Sequence, residues 1–167
     1  DVCHQIQPLD PALHTKAQTH LGRLTKPLGS LGKLEELATA YVTMTGELKP
    51  TIPRGMVFTF AADHGVTAEG VSAYPREVTP QMVLNFLRGG AGVNVLARHA
   101  GVVVRVVDIG VDYDFKTAPG LIHRKIMNGT GNVMREPAMM REQAEQAVQV
   151  GIDLATEAVR EGIGLIG

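Results

Sequence analysis

The chain has 167 residues, of which 44% are hydrophobic and 20% are charged, and its formal net charge is −1 at pH 7. This balance is typical of an ordinary globular protein. The near-neutral charge and an aromatic content of 4% argue against a nucleic-acid partner. No apolar run approaches the ~18 residues that a membrane-spanning helix needs, so we expect no membrane association either.

Two features near the ends of the chain lead to further expectations. Cys3 is the single cysteine and has no second thiol in the chain to bond with, so we expect a reducing, cytoplasmic setting. The chain begins at Asp1, and the stretch 163–167 has the pattern of a strand that starts and leads to a glycine turn. We therefore expect a truncated chain whose parent continues beyond Gly167.

Residues 1–50 are predicted to form a small helical subdomain. Asp10 followed by Pro11 is a capping signal for a helix over 11–21. A turn with one proline and two glycines follows, because these residues cannot continue a helix. Ser30 is the predicted cap of a second helix, in which the apolar positions recur with helical spacing: Leu34, Leu37, Ala38, Tyr41, Val42 and Met44.

The stretch 55–62 is predicted to be the first strand of a sheet domain over 51–167. It is apolar and uncharged, and Pro53 and Gly65 bound it, which is the pattern of a strand buried in a parallel sheet. A polar loop follows and leads to a helix. Thr79 is its predicted N-cap and Pro80 its first helical residue.

A glycine-rich cluster at 89–92 separates this helix from the next one. Its backbone N–H groups could hold a phosphate, or its small residues could allow two helices to pack closely at a joint. The cluster follows a helix rather than a strand, and it matches neither of the two common glycine-rich phosphate motifs. We therefore favour the helix joint.

A second buried strand is predicted over 102–110, and the intervening helices make the two strands a parallel pair. Asp63 and Asp108 should then end neighbouring strands at one edge of the sheet. There each could hold a ribose hydroxyl, a metal-bound water or only a loop N–H. The long connection 112–137 is expected to be functional or to lie at an interface, and an exposed basic edge is expected at 123–125.

The last helix is predicted over 139–161. We expect it to pack on the sheet through one apolar stripe made of Ala144, Ala147, Val148, Gly151, Ile152, Ala155, Ala158 and Val159. The order of elements predicts an α/β fold: a three-layer α/β/α parallel sheet, Rossmann-like, with the small helical N-terminal subdomain before it. In such sheets ligands bind at the carboxyl ends of the strands, and we expect the site there.

Residue types alone leave the reaction open. Asp63 and His64 are adjacent and should point to opposite sides of an extended chain, so they do not easily share a metal ion, and we expect no metal site. No serine stands in a G-x-S-x-G elbow, which argues against a nucleophilic triad. What remains is a polar pocket for a nucleotide or a flat heterocycle.

Several motifs resemble, in order, those of the nicotinate-nucleotide:dimethylbenzimidazole phosphoribosyltransferase family. TKPLGSLGKLE at 25–35 resembles its K-P-x-G-S-L-G-x-L-E signature, and ADHGVTAEGV at 62–71 resembles A-D-H-G-V-x-x-E-G-V. SAYP at 72–75, GGA at 89–91, VDIGV at 107–111, GTGN at 129–132 and PAM at 137–139 also follow the order of the family. The likeness covers about residues 13–167 of this chain.

The resemblance implies an enzyme of cobalamin biosynthesis that acts as a homodimer and uses no cofactor. It would transfer phosphoribose from nicotinate mononucleotide to 5,6-dimethylbenzimidazole, giving α-ribazole 5′-phosphate and nicotinate. In that family the essential glutamate and a glycine-rich phosphate loop lie downstream of the position that matches Gly167. This chain alone is therefore expected to be inactive.

The resemblance also implies which positions line the site. It places Ser72, Tyr74, Gln81 and Met82 on the wall of the base pocket. Asp63 would support the pocket or the ribose rather than act as the base. Two other functions stay open: a non-catalytic module that binds a nucleotide or heterocycle, and a metal-dependent hydrolase built on Asp63 and His64.

Overall fold

The computed structural model describes His4, Ile6 and residues 8–167, so Cys3 lies outside the described residues. The chain divides into two compact units, one that ends at Ile52 and one from Pro53 to Gly167. In the part of the chain described, no helix combines the length and apolarity that crossing a membrane requires.

The first unit contains helices α1 (Pro11–Gly22) and α2 (Lys33–Thr45). The carboxylate of Asp10 accepts the N–H of Ala12 at 2.8 Å, so the predicted cap of α1 is confirmed. The predicted cap of α2 is wrong, because Gly32 stands at the N-cap position and no side chain caps the helix there. The carboxylate of Glu35, in the first turn, instead reaches back to the N–H of Leu31 at 3.1 Å.

Glu35 also holds the turn before α2. Its Oε1 lies 2.7 Å from the Nζ of Lys26, and both side chains are largely shielded from solvent. The hydrogen bond from Lys26, followed by that from the Leu31 N–H, lowers the pKa of Glu35 below its ordinary value of 4.5. One carboxylate thus links the two ends of the segment 26–35.

The packing face of α2 differs from the predicted one. Of the predicted apolar positions, Val42 is buried, but Leu34, Leu37 and Met44 are exposed, and the other buried residues are Thr39 and Thr43. The buried threonine hydroxyls donate to backbone carbonyl groups one helical turn earlier, at 2.7–2.8 Å. Because their polar atoms are satisfied inside the helix, threonines can occupy the buried face.

The second unit is a four-stranded sheet with helices around it. Its strands are β1 (Arg54–Ala62), β2 (Val103–Gly110), β3 (Leu121–His123) and β4 (Ile163–Ile166). Its helices are α3 (Val78–Arg88), α4 (Gly92–Ala100) and α5 (Arg141–Arg160). The strand order is β3-β2-β1-β4 and every pairing is parallel, which confirms the predicted fold class.

Alternation along β2 separates the two faces of the sheet. Val106 packs in a cluster with Val83 of α3, whereas Val107 packs with Val150 and Leu154 of α5. Successive residues of a strand point to opposite faces, so α3 and α5 cover opposite faces. This is the three-layer arrangement.

Two helix predictions need correction. Helix α3 begins at Val78, so Thr79 is not its N-cap and Pro80 is not its first residue; both lie within the first turn. The N–H groups of Val78 and Thr79 donate to carbonyl groups of the preceding turn, at 3.1 and 3.0 Å, so the entry needs no side-chain cap. In α5 the buried residues are Val150, Leu154 and Ala158, and two members of the predicted stripe, Val148 and Val159, are exposed.

The glycine cluster at 89–92 joins α3 to α4, which is the interpretation favoured from the sequence. Gly89 ends α3 with φ of 78°, a conformation that suits glycine. A Cβ on Gly90 would lie 2.3 Å from Oδ1 of Asn85. The buried side chain of Asn94 accepts the N–H of Ala91 and donates to the carbonyl of Phe86, which fixes the angle between the helices.

Candidate functional site

Two aspartates lie near the carboxyl ends of the central strands, at the edge where the sequence predicts them, and both bind the loop that follows β2. Asp63 follows β1 and is 4% exposed; its Oδ2 accepts the N–H of Asp112 at 2.8 Å. Asp108 lies within β2 and is fully buried; its Oδ1 accepts the N–H of Val111 at 2.9 Å. Each carboxylate thus accepts a loop N–H, which is one of the partners considered above.

Lys125 lies under the same loop. Its Nζ donates to the carbonyl oxygens of Val111 at 2.7 Å and Tyr113 at 2.6 Å, and it is 3.4 Å from Oδ2 of Asp108. That oxygen has no hydrogen-bond donor in the described structure, so the ammonium group stabilises it by charge at ion-pair distance. Lys125 is thus part of the support of the site and not of an exposed basic edge.

The G-T-G-N segment packs directly beside the end of β1. Thr130 forms a parallel bridge with His64, and its N–H donates to the carbonyl of Asp63 at 3.0 Å. The contact is so close that a Cβ on Gly65 would lie 2.6 Å from backbone atoms of Thr130 and Gly131. The two motifs therefore form one unit, and Gly65 is required where they meet.

Glu69 ends the short 3-10 helix Gly65–Glu69 and joins it to the same segment. Its Oε1 accepts from Nδ2 of Asn132 at 2.6 Å and lies 3.0 Å from Nη2 of Arg135. Three features of the A-D-H-G-V-x-x-E-G-V motif thus contact the two loops that flank β3. The carboxylate of Asp63 contacts the loop before β3, and the glycine at 65 and the carboxylate of Glu69 contact the loop after it.

A cavity of about 480 Å³ opens at this edge of the sheet. Its lining combines apolar surface with ionisable groups from β1, the start of α3 and the loop after β2: Asp63, Arg76, Glu77, Pro80, Gln81, Leu84, Asp112 and Tyr113. Arg76 pairs with Asp112, Nη2 to Oδ2, at 3.3 Å. Asp63 already accepts the N–H of Asp112, and Asp112 pairs with Arg76, so the cavity offers a mixed polar and apolar lining rather than charge of one sign.

A larger hollow of about 680 Å³ lies in the first unit, lined by residues of α1, α2 and the turn between them. Its most buried carboxylate belongs to Glu35, which Lys26 and the Leu31 N–H already occupy. The cavity at the strand ends is the better candidate, because ligands of open parallel sheets bind at that edge.

The structure brings only some of the predicted site residues to this cavity. Asp63 and Gln81 line it, whereas Ser72, Tyr74 and Met82 are not among its lining residues. Ser72 Oγ accepts the N–H of Tyr74 at 3.2 Å and shapes a turn on which the tyrosine is 71% exposed. Met82 is 37% exposed on α3. Their roles stay predictions.

Sequence reasoning missed Arg76, Glu77, Asp112 and Tyr113 as lining residues. Asp112 was detectable, because it follows β2 by two residues at the expected edge of the sheet. Arg76 and Glu77 stand just before α3 and carried no distinctive pattern.

In the described residues, no group of three or more His, Cys, Asp or Glu side chains is arranged to hold a metal ion.

The fold and this edge define a parallel α/β protein with a polar cavity at its strand ends. A family model described as Phosphoribosyltransferase matches residues 6–167. The chain is 63% identical over 163 residues to a nicotinate-nucleotide–dimethylbenzimidazole phosphoribosyltransferase of Geobacter sulfurreducens, covering 98% of the chain and 46% of that relative. An enzyme of the same name from Chlorobium chlorochromatii is 50% identical, over 97% of this chain and 46% of its own length.

A crystal structure of the enzyme from Thermus thermophilus superposes with a TM-score of 0.87 at 48% identity, over 95% of this chain and 48% of that one. The chain belongs to the nicotinate-nucleotide:dimethylbenzimidazole phosphoribosyltransferase family, and the resemblance stated above is confirmed. It spans about half the length of the curated relatives it matches.

Proposed function

We propose that the full-length gene product transfers phosphoribose from nicotinate mononucleotide to 5,6-dimethylbenzimidazole in cobalamin biosynthesis. The products would be α-ribazole 5′-phosphate and nicotinate. One observation carries the proposal: 63% identity to a relative of that name extends over 98% of the chain, including every segment that forms the edge of the sheet.

The chemistry requires a weakly basic ring nitrogen to attack the anomeric carbon while nicotinate leaves. The pyridinium charge of the donor already makes nicotinate a good leaving group. Two tasks remain for the protein: it must align both substrates, and it must accept the proton of the benzimidazole.

The described residues fit the first task better than the second. Asp63 and Asp108 are buried and each accepts a backbone N–H, so neither is free to approach a ring nitrogen. On the family resemblance, we propose that the general base is a glutamate beyond Gly167. We propose that Ser72, Tyr74, Gln81 and Met82 form the wall that contacts the acceptor, and that Asp63 supports the pocket or the ribose.

The assay that tests the function compares the full-length gene product with residues 1–167, each supplied with nicotinate mononucleotide and dimethylbenzimidazole. Chromatography would follow α-ribazole 5′-phosphate. We expect turnover by the full-length product and none by residues 1–167. If the full-length product bound the benzimidazole without turnover, a non-catalytic module would replace this proposal. Turnover by residues 1–167 would contradict the placement of the base.

The assembly and the compartment are also proposed. We infer a cytoplasmic homodimer from the family resemblance. Light scattering on the purified full-length product should give twice the mass of one chain, and cell fractionation should place it in the cytoplasmic fraction. A mass of one chain over a range of concentrations would contradict the dimer.

A further inference from the structure

The segment 70–77, which carries Ser72 and Tyr74, is exposed along its whole length. Few of its own atoms hold it in place: the Ser72 hydroxyl bonds only within the turn, to the backbone of Tyr74. An exposed segment without buried apolar contacts takes its position from its ends.

The two ends of the segment are tied to the two connections that flank β3, one before the strand and one after it. At the first end, the Glu69 carboxylate contacts Asn132 and Arg135. At the second end, Arg76 pairs with Asp112. Arg76 also lies over Gly129 so closely that a Cβ on that glycine would be 2.7 Å from Nη2.

We infer that Glu69 and Arg76 are positioning residues that set the place of the segment 70–77, and through it the affinity for the benzimidazole acceptor. The inference rests on the proposed function, because it assigns Tyr74 to the acceptor. Neither residue is expected to touch the reacting atoms. Loss of the Glu69 anchor, which lies outside the cavity lining, should affect acceptor binding rather than donor binding or the chemical step.

The expected size follows from the exposure of these contacts. Partly exposed ion pairs contribute little, so breaking one anchor should raise the KM for dimethylbenzimidazole by about twofold to fivefold. The anchors lie at opposite ends of the segment and share no partner, so their effects should multiply to about tenfold. In Glu69→Ala, whose side chain is not part of the cavity lining, the KM for nicotinate mononucleotide and kcat should stay within about twofold.

The test uses the full-length gene product with Glu69→Ala, with Asp112→Asn and with both. Asp112→Asn removes the charge opposite Arg76 and keeps the backbone N–H that Asp63 binds. Glu69→Gln should recover part of the loss, because its amide oxygen can still accept from Asn132. Glu145→Ala is the matched control; it breaks an exposed pair with Arg141 on α5 and should change neither KM.

A second measurement does not depend on turnover. Trypsin should cleave after Arg76 several times faster in Glu69→Ala and Asp112→Asn than in the unmodified protein, and Glu145→Ala should match the unmodified rate. The inference is overturned if the two substrates' KM values rise equally in Glu69→Ala, if the KM for dimethylbenzimidazole rises in neither variant, or if cleavage after Arg76 is unchanged. If the unmodified product does not transfer phosphoribose, the proposed function fails, and the cleavage rates still decide whether the anchors hold the segment.

Discussion

Lys125 and Asp108 show how one buried charge is supported at the strand ends. The Asp108 carboxylate is fully buried and keeps one oxygen without a donor, at 3.4 Å from the ammonium group. Removing one partner of such a pair leaves an uncompensated buried charge, which costs more than the pair contributes when intact.

We predict that Lys125→Met lowers the free energy of unfolding by about 2 kcal/mol, because Asp108 loses its counter-charge and two carbonyl groups lose a donor. Urea unfolding followed by circular dichroism would measure it. Lys33→Met, which breaks an exposed pair with Glu36, is the control and should change stability by less than about 0.5 kcal/mol. Equal effects of the two substitutions would contradict the role of Lys125.

Gly65 provides a second test at the scale of one residue. An added methyl group would collide with backbone atoms of the G-T-G-N segment, which cannot move away as a side chain could. Gly65→Ala should therefore cost about 1–3 kcal/mol. Gly151→Ala in α5 is the control, since its Cβ meets nothing within 4 Å, and it should stabilise the protein by up to about 1 kcal/mol. Equal stability changes in both variants would refute the close contact.

At the scale of elements, the turn before α2 depends on one ionised carboxylate. The folded pKa of Glu35 is lowered below the ordinary value of 4.5, so the stability that its contacts contribute is present above that value. This stability is lost as the pH falls through the lower, folded pKa. Protonation removes the ion pair with Lys26 and weakens the bond from the Leu31 N–H.

We predict that thermal unfolding between about pH 6 and pH 3 becomes less pH-dependent in Glu35→Gln than in the unmodified chain. Circular dichroism would follow the transition. Glu36→Gln is the control, because Glu36 pairs only with an exposed lysine on the same helix. If Glu35→Gln retained the full acid dependence, the contacts of the Glu35 carboxylate with Lys26 and Leu31 would contribute nothing to the stability.

The elements themselves were largely predictable, because apolar runs and capping residues are local signals. The buried strands β1 and β2, their parallel pairing and the shared edge of Asp63 and Asp108 follow from residues close in sequence. The start of α3 could not be predicted in this way, because a backbone turn replaces the side-chain cap that Thr79 would have supplied. The packed face of α2 also departed from its apolar pattern, because threonine hydroxyls bond within the helix.

The details of the site were less predictable for a physical reason. Glu69 meets Asn132 across 63 residues, and Arg76 meets Asp112 across a strand and two helices. Such pairs join residues far apart in the sequence, and no local pattern encodes them. The G-T-G-N segment could be recognised as a motif, but its insertion beside β1 could not.

At the scale of the whole molecule, the chain forms two compact units joined near Ile52. The assignment of residues 1–50 and 51–167 as separate domains stays a prediction. We expect a glutamate-specific protease to cut after Glu47, which is exposed and follows the last residues of α2, before it cuts any site within α5. Mass spectrometry of the early products should show the two matching fragments, and earlier cuts within α5 would contradict the prediction.

The strand order has a consequence for how the chain reaches its native state. β1 lies at the centre of the sheet, yet its partners arrive late: Val103 is about 50 residues further along the chain than Met56, and Ile163 is about 110 residues beyond Arg54. During synthesis the apolar segment of β1 is therefore complete before either of its neighbouring strands is available to pair with it. We expect folding to be slow at this step, with transient aggregation the main risk while the ribosome completes α5.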